Sequence, residues 1–218
     1  MLRSLFILTL IHSGFIFSEV YDFEKWAVGS AMSNVSISTD GNYLSFHQRL
    51  SRESDPVLKI FNSDDLSGDP YVLGGETLEI TYSSWIGPEE LIVVFRGRAR
   101  DNIEGFNRGV YETKLALFNM STKKFTPLND RGIGSAASFS IGLENILPYD
   151  DNKILISYNE YKRGSSYRAT SYYKYNLKTG SKSLVLKGRE DYYGINFDYY
   201  GNPRYASGFD VGTGVYSR

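Results

Sequence analysis

The side chains able to carry chemistry are few. His12 and His47 are the two histidines, and cysteine is absent. That excludes disulfide scaffolds, thiolate-bound metals and a cysteine nucleophile. A serine nucleophile needs a histidine held between it and a carboxylate. His12 lies in an N-terminal apolar run, which leaves His47. The G-x-S-x-G turn that lifts a serine above an α/β sheet occurs nowhere in the 218 residues. His47 follows Tyr43–Phe46 and precedes Gln48 and Arg49, so it reads as a strand-end histidine at the solvent edge. No catalytic residue and no metal ligand is assigned, and no cofactor is expected.

Arginine supplies the one candidate binding feature. Arg96, Arg98 and Arg100 alternate after the apolar run Leu91–Phe95, and a continuing strand would place them on one face. Such a row could contact a ligand, line a channel or grip a carboxylate, which guanidinium groups do in bidentate fashion. A solvated loop face is the plainer reading. Asp64-Asp65 and Asp150-Asp151-Asn152 offer the hard oxygens that calcium takes, without the spacing of an EF-hand loop. Both fall where Asp and Asn cap their own turns. Gly132-Ile133-Gly134 half-matches a dinucleotide loop but leads into Ser138-Phe139-Ser140, which reads extended rather than helical. Tyr158, Tyr161, Tyr167, Tyr172, Tyr173 and Tyr175 could stack a sugar; on alternating strands they more simply pack between sheets.

These residues must be positioned by strands. The chain has 18 Tyr, 13 Phe and 21 Gly against 6 Pro, a mixture suited to pleated surfaces joined by tight turns. With 24 Lys+Arg and 25 Asp+Glu there is no basic footprint for a nucleic-acid partner. Period-2 runs appear at Val35–Ser38, Tyr43–Phe46, Val57–Asn62 and Pro70–Leu73, with Asp40-Gly41-Asn42 as the first tight turn. The same grammar recurs at Ile80–Ile86, Leu91–Phe95, Leu115–Asn119 and Phe125–Leu128. It recurs again at Ile146–Pro148, Ile154–Tyr158, Ser171–Asn176 and Ser183–Leu186, and begins once more at Ile195–Asp198 and Arg204–Ser207. The turn anchors Gly41, Glu89, Asp151 and Gly201 lie 48, 62 and 50 residues apart. A four-stranded unit at that spacing marks a propeller. The long interval contains the polar stretch 96–112, read as an insertion.

The expected fold is therefore all-β: a partial β-propeller of four-stranded antiparallel blades, about three blades plus one strand pair. It occupies residues 34–218, with blades near 34–75, 78–130 and 143–188 and the start of a further blade at 193–218. An immunoglobulin-like sandwich lacks this two-hairpin regularity.

Four stretches carry a resemblance: Asn34–Phe46, Ser84-Trp85 before Glu89-Glu90-Leu91, Tyr172–Gly180, and Asp198–Arg204. Together they resemble the propeller region of prolyl oligopeptidase family serine peptidases, especially the acylaminoacyl-peptidase-like branch. In that family a C-terminal α/β-hydrolase domain carries the triad. The resemblance thus implies a non-catalytic propeller segment, truncated before the catalytic domain and gating substrate access in a full-length peptidase. Its implied partners are that missing domain or completing blades. Open blade faces add the expectation of self-association. The alternative is an independent secreted propeller that binds a ligand or a protein.

Met1-Leu2-Arg3 supplies one positive charge, residues 4–17 carry none, and Ser18 precedes Glu19. This is the pattern of a signal peptide over 1–18, followed by a lead-in at 19–33, and it implies export to the periplasm or beyond. The apolar run falls short of the roughly 20 residues that span a bilayer, so no membrane partner is expected after cleavage. The exported chain should begin at Glu19, which N-terminal sequencing of protein from a secreting host checks; a retained Met1 would contradict it.

Overall fold

The computed structural model describes residues 31–51, 54–74, 78–100, 110–128, 141–150, 152–161, 168–189, 192–210 and 215–217. The expected signal peptide, most of the lead-in and the Gly132–Ala137 loop lie outside them. Strands follow one another as consecutive antiparallel meanders. The first sheet contains β1 (Met32–Ile37), β2 (Tyr43–Gln48), β3 (Val57–Asn62) and β4 (Tyr71–Leu73), side by side in chain order. The second contains β5 (Leu78–Trp85), β6 (Glu90–Arg100), β7 (Val110–Asn119) and β8 (Lys124–Pro127). The third contains β9 (Ile141–Asn145), β10 (Lys153–Tyr161), β11 (Arg168–Asn176) and β12 (Lys182–Leu186). The fourth contains β13 (Tyr192–Phe197), β14 (Pro203–Asp210) and β15 (Val215–Ser217), one strand more than the expected pair.

Self-capping turns set the hairpins. Between β1 and β2, the Asp40 carboxylate accepts from the Ser38 hydroxyl at 2.6 Å and the Asn42 amide at 3.2 Å. Gly41 stands at φ 82°, a left-handed conformation that glycine adopts without penalty. The β13–β14 turn repeats the device. There Asp198 accepts from the Tyr200 and Asn202 amides at 3.0 and 2.8 Å, and Gly201 stands at φ 76°.

Alternation then divides each inner strand between two neighbours. On β6, Leu91 and Val93 pack with Leu58, Ile60, Leu73, Trp85 and Phe118 in a core between the first and second sheets. Ile92 and Val94, one residue out of phase, pack with Leu115, Leu128, Ile154 and Ile156 between the second and third. Leu147, Leu155 and Tyr172 meet Ile195 and Phe197 between the third and fourth. Four sheets stacked in series, the inner two buried on both faces, make this an all-β partial propeller.

Two expectations are corrected. Ile146–Pro148 is not a strand: β9 ends at Asn145, whose side chain caps the Leu147 amide at 2.9 Å, and Leu147 turns left-handed at φ 49°. Proline lacks the amide needed to continue the ladder. The 96–112 stretch is not wholly an insertion, because β6 runs on to Arg100 and β7 begins at Val110. Arg96 pairs across to Glu79 and Thr113, which extends the hairpin.

The outward side of the first sheet is apolar. Val35, Ile37 and Val72 are exposed there, and Phe46 stacks on Phe61 at 5.7 Å between ring centres. By contrast, Phe118 is fully buried and packs against Tyr71 and Phe125. Phe118→Ala should cost about 3–5 kcal/mol of stability, and Val72→Ala less than about 0.5 kcal/mol. Urea unfolding of the two variants checks the contrast.

Candidate functional site

A cluster of buried polar groups lies at the junction of the first two sheets. β1 carries one extra residue opposite β2: Ser33 pairs with His47, and Ser36 with Ser45. Asn34 sits in that irregularity at φ 51°, a conformation asparagine tolerates better than most residues. A bulge re-aims its side chain. The Asn34 amide reaches the Ser83 carbonyl at 2.7 Å, the Ser83 hydroxyl at 3.1 Å and His47 Nε2 at 3.3 Å. His47 Nε2 lies 2.9 Å from Ser83 Oγ. Beside them, Trp85 Nε1 donates to Ser45 Oγ at 2.9 Å, and Ser45 meets Ser36 at 3.0 Å.

His47 is therefore not at a solvent edge; it is 3% exposed, and Ser83 is 1% exposed. The sequence expectation ended the strand at Phe46, whereas β2 runs on to Gln48 and turns Ser45 and His47 inward. Ser45-x-His47 on β2 and Ser83-x-Trp85 on β5 share the two-residue spacing that would have revealed them. Serine and imidazole at 2.9 Å have the first two members of a triad. Among the described residues no carboxylate bonds the ring, and both groups are sealed from substrate. The arrangement acts as a hydrogen-bonded stitch between sheets.

Its electrostatics follow from burial. Desolvation holds the His47 pKa below its ordinary value of 6.5. A neutral ring whose Nε2 accepts the Ser83 hydroxyl suits these contacts, because the Asn34 amide facing Nε2 is also a donor.

The arginine row is more dispersed. Arg96 approaches Glu79 at 4.0 Å and sits 4.1 Å above the Tyr111 ring, with its side chain half exposed. Arg98 is exposed and pairs opposite Tyr111. A register shift separates Arg98 from Arg100, and the Arg100 side chain lies outside the described residues. An exposed ion pair of this kind contributes little energy.

The acidic turns are occupied by their own neighbours. Asp65 accepts from the Ser67 hydroxyl at 2.9 Å and the Gly68 amide at 3.0 Å. Asp150 is bridged by Lys153 at 2.8 Å and Lys174 at 3.0 Å, and these hydrogen bonds hold its pKa below the ordinary carboxylate value. Asp151 lies outside the described residues. Among the described residues no three ligating side chains gather to hold a metal. Tyr158, Tyr172 and Tyr175 are buried between sheets, and Tyr173 lies 5.1 Å from Tyr158. Tyr167 and the Tyr161 side chain lie outside the described residues.

No family model matches the sequence, and no curated protein does. Solved structures do. Pyrococcus horikoshii acylaminoacyl peptidase aligns over 77% of this chain and 26% of its own, at 14% identity and a TM-score of 0.50. A prolyl endopeptidase chain aligns over 80% of this chain and 25% of its own, at 10% identity and a TM-score of 0.50. TolB from Acinetobacter baumannii aligns over 85% and 42%, at 14% identity and a TM-score of 0.45. The chain spans about a quarter of the length of the peptidase chains it matches. At such identities the likeness to the two peptidase chains establishes the fold alone, that of a propeller.

The His47 stitch has a pH signature. Above about pH 6.5 the ring is neutral in both folded and unfolded chains. Below it the unfolded chain takes up a proton that the folded ring resists, so stability should fall until the lowered folded pKa is passed. Asp40, Asp150 and Asp198, all lowered from 3.8, titrate below that window. Thermal melts from pH 8 to 5 should show the decline in the native chain and a flatter profile in His47→Gln.

Proposed function

We propose that this chain is the non-catalytic propeller segment of an exported, prolyl-oligopeptidase-like serine peptidase, screening substrate access to a catalytic domain. The observation that carries the reading is the match to the two peptidase chains at a TM-score of 0.50, over about a quarter of their length. The sequence adds its own support. It contains no G-x-S-x-G turn, and His47, the histidine among the described residues, is buried in the fold. For the prolyl endopeptidases, inter-domain dynamics has a role in catalysis and specificity. A screening propeller is compatible with such motion. The apolar outward face of the first sheet, with Val35, Ile37, Phe46, Phe61 and Val72, is the surface that a further blade would cover and through which isolated copies would associate.

Two measurements test the proposal. The purified chain should show no turnover of chromogenic peptides that a serine-directed inhibitor blocks; such turnover would overturn the non-catalytic assignment. Without a positioned base, a serine hydroxyl is a weak nucleophile at neutral pH. Light scattering should show self-association that Phe46→Lys reduces. An unchanged mass distribution would remove the outward face from the interface.

A further inference from the structure

The connection between β9 and β10 contains two residues in a conformation that side chains seldom adopt. Leu147 stands at φ 49° and Asn152 at φ 60°, in the left-handed region where residues other than glycine are uncommon. Backbone held in this way gathers where a fold shapes a site. Both residues line one cavity of about 290 Å³, close to the lower end of small-molecule sites. It lies between the β5–β6 turn and the β9–β10 connection, with Thr39 of the β1–β2 turn also in its wall.

The wall presents two kinds of surface. Trp85, Ile86, Leu147 and Leu177 supply an apolar side, the first and third buried and the others half-buried. Trp85 has no donor to spare, because its indole N–H goes to Ser45 at 2.9 Å. The charged groups of the wall are Glu90, Asp150 and Lys153. Lys153 is engaged by one Asp150 oxygen at 2.8 Å, and Lys174 holds the other oxygen at 3.0 Å. Among the described residues this leaves half-buried Glu90 as the lining carboxylate without a cation. The Thr39 hydroxyl and the Asn152 side-chain amide, also in the wall, have no hydrogen-bond partner among the described residues. Asp151, outside the described residues, carries by its type the same sign as Glu90.

We propose that this cavity is a binding site for a small primary amine, its short apolar body on Trp85, Ile86 and Leu177 and its ammonium group toward Glu90. An ammonium group brings three donors and no acceptor. Glu90 supplies the opposite charge, while the Thr39 hydroxyl and Asn152 Oδ1 are uncommitted acceptors in the same wall. A carboxylate ligand fits poorly, since Glu90 repels it and Asp150 already engages the lining lysine. A bare cation fits poorly too, because the apolar side would desolvate it and return nothing.

Calorimetry on the full chain with 2-phenylethylamine, neutral 2-phenylethanol, 3-phenylpropionate and methylammonium tests the proposal. The amine should bind saturably, the alcohol about fivefold more weakly, and added salt should narrow the gap. Neither 3-phenylpropionate nor methylammonium should compete at concentrations where the amine saturates. Glu90→Gln should make amine and alcohol bind alike. Glu79→Gln, at the opposite end of the same sheet beside Arg96, should leave the gap unchanged. Thr39→Trp should fill the cavity and abolish binding of both; should that variant not fold, Glu90→Gln decides. No saturable binding of the amine, equal binding of the alcohol to the native chain, competition by 3-phenylpropionate or methylammonium, a gap that survives Glu90→Gln, or full binding to a folded Thr39→Trp would each overturn the proposal.

Discussion

Everything in this fold follows from one constraint: a sheet that is apolar on both faces needs a neighbour on each side. The run Leu91-Ile92-Val93-Val94 on β6 expresses it most directly. Its odd and even members enter different cores, one shared with the first sheet and one with the third. On β10, Ile154 and Ile156 serve one seam while Leu155 serves the next. Burial of a whole strand on both faces normally belongs to parallel sheets covered by helices. Here, stacking sheet on sheet achieves it with antiparallel meanders. A substitution in such a strand acts on two seams through the shared backbone, which couples neighbouring sheets mechanically.

Apolar burial is permissive about register, and the polar stitch is not. Ser45, His47, Ser83 and Trp85 Nε1 are satisfied by one another across the first seam. Displacing the sheets by one residue would leave these buried groups without partners, at about 1–3 kcal/mol each. Several such penalties rival the net stability of a whole domain, roughly 5–15 kcal/mol. The stitch thus selects a register that hydrophobic packing alone would leave loose. Asn34 joins it only because its bulge and left-handed backbone turn the amide inward, so a local irregularity in β1 contributes to the order of the whole seam.

The hairpins were legible in the sequence because their information is local. Asp40-Gly41-Asn42 and Asp198-Tyr199-Tyr200-Gly201-Asn202 contain both the capping carboxylate and the left-handed glycine that make the turn. Which face points inward was not legible, because the alternation rule assumes one wet face and one dry face. On the first sheet the outward side carries Val35, Ile37 and Phe46, while the inward side carries Ser36, Ser45 and His47. Alternation alone therefore could not show that β2 continues past Phe46 and buries His47. The lengths of β6 and β7 were obscured for a related reason. Arg96 and Tyr111 look like loop residues one at a time, and they become strand residues once paired across the hairpin. The Ile146–Pro148 run failed differently, since its apolar composition conceals a left-handed leucine before a proline.

The three seams differ in how completely they are filled. In the first, large side chains such as Trp85 and Phe118 interlock, and even the polar groups are mutually satisfied. The second is apolar, closed by Tyr158 and Tyr175. Both use most of their chemistry internally. The acidic turns are similarly committed, with Asp40 held by Ser38, Asp150 by Lys153 and Lys174, and Asp198 by the Asn202 amide. In the third seam, glycines and an alanine line the space that bulkier side chains would occupy, and cations stand at its edge. An unfilled volume between sheets forfeits dispersion contacts. Underfilling is thus what makes one seam of a repetitive fold chemically different from the others.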